Sequence, residues 1–516
     1  MSFKRNIIAN YLSQIYVSLI GIVMAPMYLH YMGIEAYGLV GFYAAIQIWF
    51  GLLDMGLSLT LVRETARFRA KALNVLTYRR LVFALELIFV GVGAFGGLFL
   101  YSNSSRLALS WLNIESLNAD TVTTCLQMIS GIVVMRWMSG FYRSVLTGME
   151  EFIWLSVFST IIASLRFIGV IPIFIIFDGS LKIFFYFQCV VGIIELMGFY
   201  FKSREMLPPL INNEHVSWSP EVLLVSVKQL LGFSITISLA AIAWAMMTQL
   251  DKLLLSWRLP LTQYGVFILA AMAASGVPLV VGPLSNALLP RLARLHAQGD
   301  REELMLLYEK MTQVVAMLVA PLCYLLSSFS WKIMFVWTGD RLVATQGGAL
   351  MSLYALGNGL LALAAFPYYL QYANGKLKLH LIGSVIFLIV YVPMLLAMIK
   401  YLGAIGAGYA WFLTNLVYFL FWLPVVHRSL AKGLHMRWLA RDIVTPAKYS
   451  LIFLFLFENS MTEFNLWPNG RSSILIILVF VGTISIMLNF LSQPYFRYIA
   501  KSWVLEKMSN RAARNR

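Results

Sequence analysis

The chain has 516 residues, 60% of them hydrophobic and 12% charged, with a mean hydropathy of +0.78. Soluble domains carry about 25% charged residues because their surfaces face water, so this composition excludes a soluble globular protein and makes lipid the main solvent. The 39 Lys+Arg against 23 Asp+Glu leave a net charge of +16, which in a soluble protein would suggest nucleic acid; here it raises the question of which membrane face holds the cations.

A helix that crosses a bilayer needs about 20 apolar residues. Runs of that kind fall at 7–31, 37–62, 81–101, 121–144, 153–177, 182–201, 229–254, 263–288, 312–336, 347–372, 381–400, 405–426, 448–466 and 472–494, fourteen expected spans. Glu458 and Glu463 interrupt the thirteenth, so twelve full spans plus a re-entrant or interfacial piece is the fallback. The fold class is therefore an all-α polytopic membrane protein. An even span count puts both termini on one side, and 29 of the 39 Lys+Arg fall on that side against 7 on the other, with Arg136, Arg166 and Lys332 inside spans. The positive-inside rule makes the 29-residue side cytoplasmic.

Other classes drop out on the same pass. The first apolar stretch, after Lys4 and Arg5, is too long for a signal-peptide core and has no small-x-small cleavage site. Cys125, Cys189 and Cys323 lie far apart inside spans and read as small apolar residues rather than disulfide or metal ligands. There is neither a P-loop nor an HExxH pair, so neither ATP-driven pumping nor zinc hydrolysis by this chain is expected, and no cofactor or metal.

Sliding the chain on itself by 227 residues brings Tyr37-Gly38 onto Tyr264-Gly265 and Ala66-Arg67 onto Ala293-Arg294. Each Tyr-Gly opens a helix at the outer face and each Ala-Arg follows its exit at the inner face. Parallel copies an even number of spans apart imply two pseudo-symmetric six-helix lobes, an arrangement found in secondary transporters. The expected domains are 1–201 (N-lobe), 202–227 (cytoplasmic linker with Pro208-Pro209 and Pro220), 228–426 (C-lobe), 427–494 (basic loop and two extra helices) and 495–516 (basic tail).

The stretch from Asn10 to Arg67 carries Pro26 and Tyr28, a Gly33…Tyr37-Gly38 turn, Leu53-Asp54-x-Gly56 and Arg63-Glu64; a second set is Gln249-x-Asp251-Lys252, Tyr264-Gly265 and Pro290-Arg291-Leu292. In these features the chain resembles bacterial polysaccharide transporters, the Wzx-type lipid-linked oligosaccharide flippases of the multidrug/oligosaccharidyl-lipid/polysaccharide exporter superfamily. The resemblance implies a protein of the bacterial inner membrane that moves a polyprenyl-diphosphate-linked glycan, for O-antigen, capsule or exopolysaccharide, from the inner to the outer leaflet by alternating access. Partners would be that glycan, membrane lipids and other polysaccharide-assembly membrane proteins, and no nucleic acid. Peptidoglycan-precursor flippases typically place several arginines in the first two spans, and many bacterial multidrug extruders an acidic residue in the first. Between Arg5 and Arg63 this chain has no arginine, and its first span has no acid.

Ionisable residues deep in a membrane cost about 2.5–3.5 kcal/mol on insertion scales and normally face a cavity or a partner. Arg136, Arg166, Arg291 and Lys332 are the candidate headgroup-binding cations, because guanidinium forks match phosphate oxygens. Asp54, Glu86, Glu195 and Asp251 are the candidates for balancing those charges or coupling transport to a proton or sodium ion. Asn10 and Gln14 on span 1, and Gln47 with Gly51, Asp54 and Ser58 on span 2, form polar stripes expected to line the cavity. Small and polar residues also mediate plain helix packing in membranes. A polytopic glycan polymerase would need a sizeable outer loop; the longest here, 102–120, offers only Arg106, Glu115 and Asp120, which argues against an enzyme and leaves a small-molecule antiporter as the nearer rival.

Overall fold

A computed structural model describes residues 3–209, 239, 241–376, 378–431 and 433–493. Most of the expected linker, the first part of the seventh span and the tail lie outside the described residues. Those described are all-α, apart from one isolated bridge between Asn113 and Pro260, and the chain folds as two compact units, Met1–Ile268 and Leu269–Arg516. Ten helices among the described residues are long and apolar enough to cross a membrane.

Unit 1 begins with α1 (Phe3–Gly51), followed by α2 (Leu57–Arg69), α3 (Val75–Ser102), α4 (Ala119–Gly148), α5 (Phe152–Phe167), α6 (Leu181–Met206), α7 (241–258) and the start of α8 (Leu261–Ala274). At 1.5 Å per residue the 49 residues of α1 would extend about 70 Å, more than twice a bilayer's hydrocarbon core. Gly33 resolves this with φ 80° and ψ 169°, a conformation costly for residues with a Cβ, which kinks α1 between the first two expected spans. Helix α4 is the hub of unit 1, packed against α2, α3 and α6. Its packed face holds Ser130, Ser139 and Ser144, and the helix also carries Arg136.

Two expected spans of unit 1 are broken rather than continuous. Between α1 and α2, Leu52–Asp54 forms a 3₁₀ turn, and Met55 (φ 46°) and Gly56 (φ 73°) are left-handed. The stripe Gln47-Gly51-Asp54-Ser58 therefore does not run along one helix: the Asp54 carboxylate accepts a bond from the Ser58 amide at 3.0 Å and serves the start of α2. The span 153–177 stops at Phe167 and restarts as the short helix Ile171–Ile176, with Pro172 in its first turn.

Unit 2 holds α9 (Gly276–Ala297), α10 (Arg301–Ser328), α11 (Ser330–Thr338), α12 (Arg341–Ala373), α13 (Lys378–Leu402), α14 (Ala404–Val417), α15 (Thr445–Glu463) and α16 (Arg471–Ser492). Asp300 and Asp340 cap α10 and α12 through their N-terminal amides. Helices α15 and α16 pack together and against α10. Phe329, Ile474 and Leu478 are buried there, with Phe457 and Trp467 against them. Glu458, the acid that interrupts the thirteenth apolar run, accepts a bond from the Tyr324 hydroxyl at 2.6 Å. An inward-facing Asn489 bonds Ser450 and the Met317 carbonyl.

Candidate functional site

Unit 1 gathers Arg136, Arg166 and Glu195 around the break that ends α5. Arg166 occupies the last turn of α5 and is 7% exposed. Ending a helix frees carbonyl groups; the Tyr28 hydroxyl from α1 reaches those of Arg166 and Phe167 at 3.3 Å, and the Gln188 amide from α6 reaches that of Arg166 at 3.2 Å. The negative end of the helix dipole also favours a cation at this position. On α6, the Glu195 carboxylate accepts from Arg166 Nη2 at 2.6 Å, and Arg136 Nε of α4 approaches the same oxygen at 3.8 Å. Arg136 Nη1 donates to Gln47 Oε1 of α1 at 2.6 Å. Four helices thus bring two guanidinium groups onto one carboxylate, a local excess of one positive charge. Arg166 Nε and Gln188 Oε1 are buried with no hydrogen-bond partner among the described residues, so donor and acceptor capacity is left over at the centre of the cluster.

The other expected residues are placed elsewhere. Glu86 on α3 takes a two-pronged contact from Arg204 at 2.6 and 2.8 Å and a bond from the Tyr142 hydroxyl at 2.7 Å. Arg204 is the partner the sequence reading lacked: it lies 118 residues from Glu86, and only its placement in the last turn of α6 hinted at a role. Gln14 is exposed and donates to Asn10 at 3.3 Å, while the opposite face of α1 packs on α5 through Ser13 and Tyr16. Asp251 is buried on α7, where the backbone amide of Lys252 binds it at 2.8 Å. In unit 2, Arg291 lies 3.7 Å from Glu303, and the Lys332 ammonium lies 4.3 Å above the Trp467 ring.

One end of unit 1 is tied together by contacts among the ends of its helices. Glu35 of α1 accepts from the amides of Glu115, Ser116 and Leu117, and Asn113 donates to the Trp257 carbonyl at 2.9 Å while its own carbonyl takes the Leu261 amide at 2.9 Å. The two repeated Tyr-Gly pairs meet here. A Cβ on Gly38 would overlap the Leu261 carbonyl, and one on Gly265 would overlap the Ile34 carbonyl.

Residues 3–296, more than half of the chain, match the family described as polysaccharide biosynthesis protein. The chain belongs to that family. It is 20% identical over 421 residues to a Shigella flexneri protein described provisionally as an O-antigen transporter, covering 80% of this chain and 94% of that one. Among solved structures it resembles the lipid II flippase MurJ in an inward closed conformation, with a TM-score of 0.74 at 13% identity over 96% of this chain and 100% of that one. It also resembles an inward-facing multidrug resistance transporter of the MATE family, with a TM-score of 0.62 at 13% identity over 82% and 96% of the two chains. At these identities the structures establish a shared fold. The relatives are named as transporters and flippases, not enzymes.

Proposed function

We propose that this protein flips a polyprenyl-diphosphate-linked oligosaccharide from the cytoplasmic to the outer leaflet of the bacterial inner membrane by alternating access. Fourteen crossings in two lobes, with both termini cytoplasmic, complete the reading. The observation that carries it is the Arg136–Glu195–Arg166 cluster: two deep guanidinium groups on one carboxylate, at a broken helix, with a buried Nε left without a partner. Discontinuous helices near mid-membrane are where transporters hold charged substrates. The diphosphate would draw the guanidinium forks from Glu195, and the released carboxylate would be the group that takes up a coupling proton or sodium ion. The tied end of unit 1 would then be the outer gate, closed while the headgroup site loads from the cytoplasm. The family membership and the name of the Shigella relative support a glycan substrate.

Purified protein in proteoliposomes containing a fluorescent polyprenyl-diphosphate-linked oligosaccharide should expose the glycan to an external lectin. Arg166→Ala should slow this at least tenfold at equal protein level. Unchanged flipping would remove Arg166 from the site. Absence of glycan flipping by the unaltered protein, together with proton-coupled export of small cations, would replace the proposal with the antiporter reading that the MATE-like fold also accommodates.

A further inference from the structure

Unit 2 contains a second polar site, far in sequence from the cluster above. Where α9 ends and α10 begins, a cleft of about 700 Å³ opens between α9, α10, the turn before α15 and the end of α16. That volume lies within the roughly 300–1,000 Å³ typical of small-ligand sites. Along α10, Glu303, Leu307, Lys310 and Val314 follow at intervals of 4, 3 and 4 residues and so share one face, which lines the cleft. Arg291 of α9 and Arg441, in the π-helical turn Trp438–Val444, also line it. Three cations thus surround a cavity whose lining includes one carboxylate.

That carboxylate does not satisfy the two arginines. Arg291 Nη2 is 3.7 Å from Glu303, and Arg441 Nη1 is 3.9 Å from Glu309, both longer than the roughly 2.7–2.9 Å of a charge-assisted hydrogen bond. Glu309 is engaged more closely by Arg437. Neither Arg291 nor Arg441 makes a hydrogen bond among the described residues, and their side chains remain 56% and 63% exposed. Beside these cations the wall is apolar: Leu306, itself 48% exposed, together with Leu307, Met311 and Val314. A cavity with a basic rim and an apolar wall matches a ligand whose phosphate is attached to hydrocarbon.

We propose that this cleft binds the phosphate headgroup of an acidic phospholipid in the cytoplasmic leaflet, with an acyl chain against the α10 wall. Basic pockets between transmembrane helices on the cytoplasmic side are suited to such headgroups. The inference rests on the orientation proposed above, not on the identity of the transported lipid. The bound headgroup would bridge α9, α10 and the segment leading to α15, cross-linking the two added helices to the body of unit 2.

The test is native mass spectrometry of the full-length protein in detergent, titrated with phosphatidylglycerol or with phosphatidylcholine of the same acyl chains. Phosphatidylglycerol should be retained and phosphatidylcholine should not. Each juxtamembrane cation contributes about fivefold, so Lys310→Gln combined with Arg441→Gln should weaken phosphatidylglycerol binding about 25-fold. Lys310→Arg should bind like the unaltered protein, and Arg428→Gln, a charge removed outside the cleft, should as well. Equal retention of both lipids, or unchanged binding by the double variant, would overturn the proposal. So would displacement by millimolar inorganic phosphate, which would mark a small-anion site, or preferential occupancy by polyprenyl diphosphate, which would make the cleft part of the substrate path. Loss of glycan flipping with phosphatidylglycerol binding intact would count against the flippase reading alone.

Discussion

Glu195 holds two arginines with one carboxylate, and its removal should be felt in both stability and transport. Arg166 is buried, and stripping its partner leaves an uncompensated charge, which costs about 3–5 kcal/mol for a buried pair. Glu195→Ala should therefore unfold at clearly lower temperature in a fluorescence melt, whereas Glu195→Ala combined with Arg166→Met should recover most of that loss while transport stays low. A second carboxylate responds to pH. Asp442, in the turn before α15, has no exposed surface; Gln313 donates to its Oδ1 at 2.8 Å, and its Oδ2 is buried with no hydrogen-bond partner among the described residues. Burial raises its pKa from 3.8 to about 6, with Glu309 adding to the rise and Gln313, Arg441 and Arg437 opposing it. The folded state thus holds this proton more tightly than the unfolded chain, so the contribution to stability is greatest below about pH 4 and falls as pH rises to about 6. Asp442→Asn keeps an acceptor for Gln313 and should raise the melting temperature at pH 7–8. The difference from the parent protein should vanish towards pH 4; a variant that melted lower throughout would show that the charged form is needed.

At the scale of elements, the internal repeat and the helix breaks were not equally legible. The Tyr-Gly pairs at 37–38 and 264–265 are visible as a repeat, but that their glycines admit a backbone carbonyl from the other segment appears only once the helices are placed. The breaks at Asp54-Met55-Gly56 and at Phe167–Val170 fall within runs that remain apolar on both sides. Hydropathy cannot report them, because both halves of a broken span remain apolar; Gly56 and Pro172 were the available local signals. Close approach at the repeat makes a specific prediction. Gly265→Val would drive side-chain atoms into the Ile34 carbonyl, and relieving that overlap should cost about 1–3 kcal/mol. Gly131→Ala on α4, which meets nothing within 4 Å and gains helix propensity, should hold or raise the melting temperature. Equal melting of the two variants would mean that the tied end of unit 1 yields freely.

For the molecule as a whole, composition was enough to read a polytopic all-α chain, and Arg136, Arg166 and Glu195 stood out as charges within apolar runs before their contacts were known. Pairings between distant residues could not be read, because Glu86–Arg204 and Arg136–Gln47 join residues 118 and 89 positions apart, and nothing local marks which residue pairs with which. Orientation is a property of the whole chain, since it follows from summing the cations of every loop, and it decides whether the basic cleft of unit 2 meets the inner leaflet. The loop after α3 supplies a direct probe: it carries exposed Ser105 and, through Asn113 and Glu115–Leu117, joins the same end of unit 1 as Glu35 and Leu259. Gln298, exposed between α9 and α10, reports the end of unit 2 bearing Arg291 and Lys310. In intact cells a membrane-impermeant maleimide should label Ser105→Cys within minutes and leave Gln298→Cys unlabelled until the inner membrane is permeabilised. The reverse pattern would invert the orientation, put the termini outside, and move both the tied end and the basic cleft to the opposite faces of the membrane.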